Sequence, residues 1–132
     1  MKSPEIQSRE YRQLICTACP MGCTLEAEKE GDLIQVKGGR CQRGGKYAQD
    51  EITNPRRVMT TTCVMEGGEL RRLPIRTTQP FPKNRMDDFM TFMTTVRVSA
   101  PVFCGDIIVS NVLGEGIDVI ATRTIRKKQP AP

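Results

Sequence analysis

Four cysteines in the first third of the chain restrict its fold more than any other feature: Cys16, Cys19 and Cys23 in CTACPMGC, and Cys41 in GGRCQRGG. Thiolates this close, with glycine and proline to bend the backbone about a common point, suit a metal ion or an iron–sulfur cluster. The chain has 132 residues, is 38% hydrophobic and lacks tryptophan. An inorganic centre would add stability that so modest an apolar content does not. A disulfide framework is the poorer reading. The polar start MKSPEIQSREYRQ has no apolar leader, and clustered cysteines in an intracellular chain more often bind metal or do redox work. No apolar run approaches the ~18 residues of a membrane span. The expected location is the cytoplasm.

The sequence contains no histidine. This removes mixed cysteine–histidine zinc sites, Rieske ligation and every histidine general base, so for a bound metal cysteine is the expected source of all the protein ligands. Two fillings remain. Zinc accepts four cysteines tetrahedrally, and CxxC is a common half-site, but zinc modules generally bring two separated pairs. Here three cysteines crowd one loop and Cys41 stands apart, an arrangement that suits a cubane wrapped by one loop and closed by a distant thiolate.

The net charge is +5. Basic residues gather around Arg40, Arg43, Lys46, Arg56 and Arg57, at Arg71 and Arg72, and in the tail from Arg123 to Lys128. Such a surface suits an acidic partner or an anionic ligand. Nucleic acid is the weaker reading, because aromatic residues for base stacking are missing beside the basic ones, Tyr47 excepted.

Along the chain, residues 1–10 read as a mobile arm and 11–15 as a short strand entering the cysteine loop. Residues 24–36 alternate about Gly31–Asp32 as a β-hairpin. The hairpin returns the GGRC segment toward CTACPMGC, with Gly38 and Gly39 allowing a tight turn and close approach to a cluster. Residues 44–52 predict a short helix whose N-terminus faces a negatively charged site, and Asn54–Pro55 ends it. This defines a four-cysteine, cluster-binding unit over 11–55. An α+β docking unit is expected over 56–124 and a basic, disordered tail over 125–132. In the second unit, 58–65 and 70–76 flank a Gly67–Gly68 turn. Asn84 is positioned to cap a helix carrying Met86, Phe89, Met90 and Met93 at helical spacing, a stripe better explained by packing on the sheet than by a partner groove. Residues 102–110 and 117–122 read as strands, and Gly114–Glu115–Gly116 as a turn rather than a phosphate loop. Cys63 and Cys104 sit in apolar, strand-like contexts and read as small buried hydrophobes.

The stretch from Cys16 to about Thr62, with CTACPMGC, GGRCQRGGKYAQDEI and NPRRVMTT, resembles the N-terminal 4Fe-4S segment of the molybdopterin oxidoreductases. The resemblance implies a 4Fe-4S cluster held by Cys16, Cys19, Cys23 and Cys41, with Arg43 at the basic position beside it. Those enzymes continue for many hundreds of residues around a molybdenum site, for which this chain has no room. Over its whole length, including LPIRT and APVFCGDIIVSNVLGEGIDVIATR, the chain is also similar to a short family of unknown function. Its members accompany FAD/NAD-dependent dehydrogenases resembling the anaerobic glycerol-3-phosphate system. That similarity implies a small, non-catalytic electron-transfer subunit of a flavoprotein. Gly22, Gly39, Arg43 and Gly44 are then the expected cluster-facing residues, the glycines admitting backbone N–H groups and Arg43 tuning the potential. The alternative is a structural zinc module that binds protein or nucleic acid.

Overall fold

The computed structural model describes residues 9–131. Strands β1 (Glu10–Ile15), β2 (Thr24–Glu30) and β3 (Leu33–Gly38) form an antiparallel sheet in that order. Period-two alternation explains its two faces. Leu25 and Ala27 point to one side and are buried, with Val36 opposite Ala27. Leu33 points the other way and is exposed, so Ile34 and Val36 supply the inner face of β3. Of the arm expected over 1–10, residues 1–8 lie outside the described residues. Glu10 already belongs to β1, paired with Lys29.

Helix α1 (Gln42–Thr53) begins one residue past Cys41, two residues earlier than its pattern predicts. It ends at Asn54, whose N–H bonds the Asp50 carbonyl at 2.9 Å, because Pro55 disfavours helical geometry before it. The helix lies on the inner face of the sheet, where Leu25, Ala48 and Cys16 form a small core with Leu14, Cys23, Val36 and Tyr47 against it.

The chain divides between Pro55 and Arg56 into two compact units. The second contains β4 (Arg56–Arg57), β5 (Thr60–Glu66), β6 (Arg72–Thr77), β7 (Phe81–Pro82), helix α2 (Met86–Thr95), β8 (Arg97–Ser99), β9 (Ile107–Val109) and β10 (Val119–Ala121). Five of these strands form one sheet in the order β8-β5-β6-β10-β9. Only the β5–β8 pair is parallel. β4 and β7 make a separate antiparallel pair. Two helices and ten strands among the described residues make the architecture α+β.

Helix α2 packs against β5 on one face of the large sheet. Phe89 and Met93 are buried with Leu73, Ile75, Val119 and Cys63, and the Phe89 ring lies 5.3 Å from that of Phe81. Met90, in the same stripe, is exposed. Thr77 is buried, with its hydroxyl accepting the Met59 N–H at 3.0 Å. The polar group is thereby satisfied inside an apolar core.

Four local expectations change. Asn84 does not cap α2: it lies inside a 3₁₀ turn, Lys83–Arg85, and Arg85 holds the capping position. Arg85 bridges Asp88 at 3.5 Å and pairs with Glu115, so one partner is local and the other distant in sequence. The 114–116 turn belongs to a longer one from Asn111, in which Asn111 and Leu113 also take positive φ. The segment expected to be a disordered tail is ordered as far as Lys128. Ile125 is buried and exchanges N–H···O bonds of 2.8 and 3.0 Å with Val102, and the Lys128 N–H bonds the Gly67 carbonyl at 2.9 Å. Finally, Cys104 is exposed rather than buried. Gly105, at φ +93°, turns the chain there, and the Cys104 N–H bonds the Thr124 hydroxyl at 3.0 Å.

Candidate metal centre

The path of the first unit gathers the four cysteines at one end. β1 delivers Cys16 and β2 begins just after Cys23. The pairing of these strands closes the loop between them, with the Cys16 N–H bonding the Cys23 carbonyl at 2.8 Å. Cys16 is 6% exposed, Cys19 and Cys23 are half-buried, and Cys41 is exposed. All four are free thiols.

Leu25 sets the spacing between the loop and α1. A Cβ on Gly44 would stand 3.2 Å from Leu25 Cδ2 and 4.0 Å from Cys16 Sγ. One on Gly39 would come within 2.8 Å of the same leucine methyl, and one on Gly38 within 2.6 Å of the Thr24 carbonyl oxygen. Gly38 and Gly39 therefore allow a close approach, but to Leu25 and the β2 backbone rather than to a sulfur. Their positive φ values, +86° and +82°, suit glycine for a second reason. Gly22 turns the loop at φ +61° with nothing crowding it. Leu25 went unmarked as a site residue in the sequence, although its place at the start of an alternating strand two residues past Cys23 was a usable signal.

Arg43 links the separate thiols electrically. The Cys41 sulfur makes no full capping hydrogen bond to α1. It still feels the Arg43 backbone N–H, the Arg43 guanidinium and the Gly44 N–H, which hold its pKa below the usual thiol range. The guanidinium is in turn held charged by Cys41 first, then by Cys19 and Cys16. Positive charge and helix-end N–H groups facing sulfur favour thiolates, the form that binds metal.

By donor type the residues fit a thiolate-bound centre: four reduced cysteines, glycine-lined approaches and a cation among the sulfurs. Among the described residues, however, no three cysteine, aspartate or glutamate side chains stand close enough to hold a metal ion. A bound centre would require the four sulfurs to stand closer together than they do here. Such coupling of ligand convergence to binding is ordinary for small metal sites.

Beside the cysteines runs an open cleft of about 340 Å³ lined by Met21, Gly22, Cys23, Thr24, Gly39 and Arg40. Cys63 and Cys104 belong to the second unit. Burial raises the Cys63 thiol pKa, with Arg72 only partly opposing it.

Residues 42–123, more than half of the chain, match the family described as "Protein of unknown function (DUF1667)". The chain belongs to the DUF1667 family. The DUF1667 match starts one residue past Cys41, so it takes in α1 and most of the second unit and none of the four clustered cysteines. A solution structure of Clostridium perfringens protein CPE0013 is similar in fold, with a TM-score of 0.52 and 18% identity, covering 58% of this chain and 92% of that one. No functionally curated protein matches this DUF1667 chain. No helix among the described residues is long and apolar enough to cross a membrane.

Proposed function

We propose that this protein is a small iron–sulfur subunit that passes single electrons to or from a flavin-dependent dehydrogenase. One observation carries the reading: in the antiparallel order β1-β2-β3 the end of β1, the start of β2 and the end of β3 fall at one edge. Cys16, Cys19, Cys23 and, just past β3, Cys41 so come to the same end, with the Cys16 N–H bonding the Cys23 carbonyl at 2.8 Å. They share that end although two strands separate Cys41 from the rest in sequence. The three-plus-one spacing and the resemblance to 4Fe-4S segments favour a cubane over zinc, and the flavoprotein partner comes from the similarity to the short family.

A bound 4Fe-4S cluster would supply a one-electron acceptor. The remaining work falls to side chains. Cys16, Cys19, Cys23 and Cys41 would hold it as thiolates. Arg43 would stabilise the added negative charge, and the N–H groups of Arg43 and Gly44 would do the same from the helix end. Leu25 keeps water from the buried side, where Cys16 sits.

Anaerobic purification followed by iron and acid-labile sulfide analysis tests this. The expected result is a brown protein with about four irons and four sulfides per chain, bleached by dithionite, and Cys41→Ser lowers both. A colourless protein with stoichiometric zinc establishes the structural zinc module instead.

A further inference from the structure

Charge is segregated along the first unit. The loop from Cys16 to Thr24 carries no charged residue, and the stretch from Leu33 to Gln49 carries only Lys37, Arg40, Arg43 and Lys46. The carboxylates lie elsewhere: Glu26, Glu28 and Glu30 run along β2 away from the cysteine loop, Asp32 is in the far turn, and Asp50 and Glu51 fall in the last turns of α1. The cysteine end is therefore basic without compensation from its own segments, and Arg40, Arg43 and Lys46 are exposed there. That same end presents apolar surface. Met21 is 62% exposed and Ile15 56% exposed, and Met21 lines the cleft together with Cys23 and Arg40.

An uncharged, partly apolar centre with a cationic rim has the composition of a protein-docking face, and separated charge orients such a face during encounter. Aromatic residues are missing from the exposed loop, which removes the stacking platform single-stranded nucleic acid needs. From these observations we infer that the cysteine end of the first unit, rather than the second unit expected from the sequence, is the docking face for an acidic redox protein. The partner's apolar surface packs on exposed Met21 and Ile15, its carboxylates meet Arg40 and Lys46, and with a centre bound electrons would cross at the Cys23 edge. Cys16, buried behind Leu25, is on the closed side. This docking rests on the electron-transfer reading above and adds to it the partner's surface chemistry and the edge used.

The test uses the full chain, purified anaerobically with its bound centre, and two probes: photoreduced flavodoxin, an acidic flavoprotein, and free reduced flavin. In each case the reduced flavin gives up one electron, becoming a semiquinone, and the centre takes it up. Reduction by flavodoxin should slow about tenfold or more between low salt and about 0.5 M salt, because screening removes the steering. Free flavin should show little salt dependence. The double change Arg40→Glu/Lys46→Glu should abolish or invert the flavodoxin salt dependence. Met21→Asp should slow the reaction at every salt concentration, whereas Arg71→Glu/Arg76→Glu, in the second unit, should change nothing. Carbodiimide cross-linking gives a readout independent of electron transfer: Lys46 should join a flavodoxin carboxylate, and Lys46→Glu should remove the product.

Failure of free flavin to reduce the protein overturns the electron-transfer reading, and the docking face falls with it. Reduction by both probes without a salt effect, or one moved by Arg71 and Arg76 instead, leaves that reading in place and overturns this face. A single-stranded oligonucleotide that blocks the face at micromolar concentration also overturns it, in favour of nucleic acid.

Discussion

Leu25 illustrates how one apolar side chain shapes a polar site. It is fully buried, and its methyl groups fill the space that side chains at Gly39 and Gly44 would otherwise occupy. Truncation leaves a void between the cysteine loop and the start of α1. Leu25→Ala should cost about 2–5 kcal/mol, read as a lower urea midpoint, and should speed alkylation of Cys16 in the metal-free protein. An unchanged midpoint would show that the leucine is no spacer. Cys63 makes a different prediction. Burial raises its pKa in the native state, so folding favours the protonated thiol. Its contribution is complete below the ordinary thiol value of about 8.5 and is lost as the pH rises toward the raised native value. Between about pH 7.5 and 10, the wild-type chain should therefore lose more stability than Cys63→Ala does. Equal losses in urea titrations would sink this assignment. That the four cysteines fall at one end of a hairpin unit was legible from spacing. The contrast between Cys63 and Cys104 was not, because both lie in similar apolar strings and only the turn at Gly105 carries the second thiol outward.

Among the elements, α2 separates pattern from placement. Its stripe of Met86, Phe89, Met90 and Met93 spans more of the helix circumference than β5 and the surrounding core can cover. Phe89 and Met93 take the covered positions and Met90 the edge. Phe89→Ala should cost about 3–5 kcal/mol, through the cavity and the lost contact with Phe81. Met90→Gln should stay within about 0.5 kcal/mol. Thermal unfolding of the two variants checks the pair, and similar losses would mean that the helix is rotated from its described position. The start of α2 also shows a limit of local reasoning. Asn84 is a good capping residue by type, but Arg85 reaches Glu115, far along the chain, and the backbone tightens into a 3₁₀ turn first. No window around residue 84 contains that partner. By contrast, the hairpin about Gly31–Asp32 and the helix after Cys41 depend on neighbours alone, and both were readable to within a few residues.

Across the molecule, apolar burial is unequally shared. The second unit's core joins residues from Met59 to Ile125, whereas the first unit's buried cluster is Cys16, Leu25 and Ala48, with Ala27 also buried on β2. On the proposed reading, a unit with so small a core would gain rigidity from a bound centre. If the proposed centre is bound, its removal by a chelator should accelerate amide hydrogen exchange across β1, β2, β3 and α1 while leaving β5, β6 and β10 slow. Uniform acceleration in both units would contradict this division. Composition and order alone were enough to indicate a cysteine-rich first unit with a hairpin, an α+β chain, both helices and the strands about Gly67–Gly68, because turn residues and apolar periods act between near neighbours. The strand expected over 102–110 is only Ile107–Val109, and β8 was not expected. Which apolar residues stay exposed, how the segment from Ile125 locks onto Val102 and Gly67, and which thiols sit inside depended on segments distant in sequence meeting. Burial is a property of what arrives from elsewhere in the chain, and a single strand or helix does not record it.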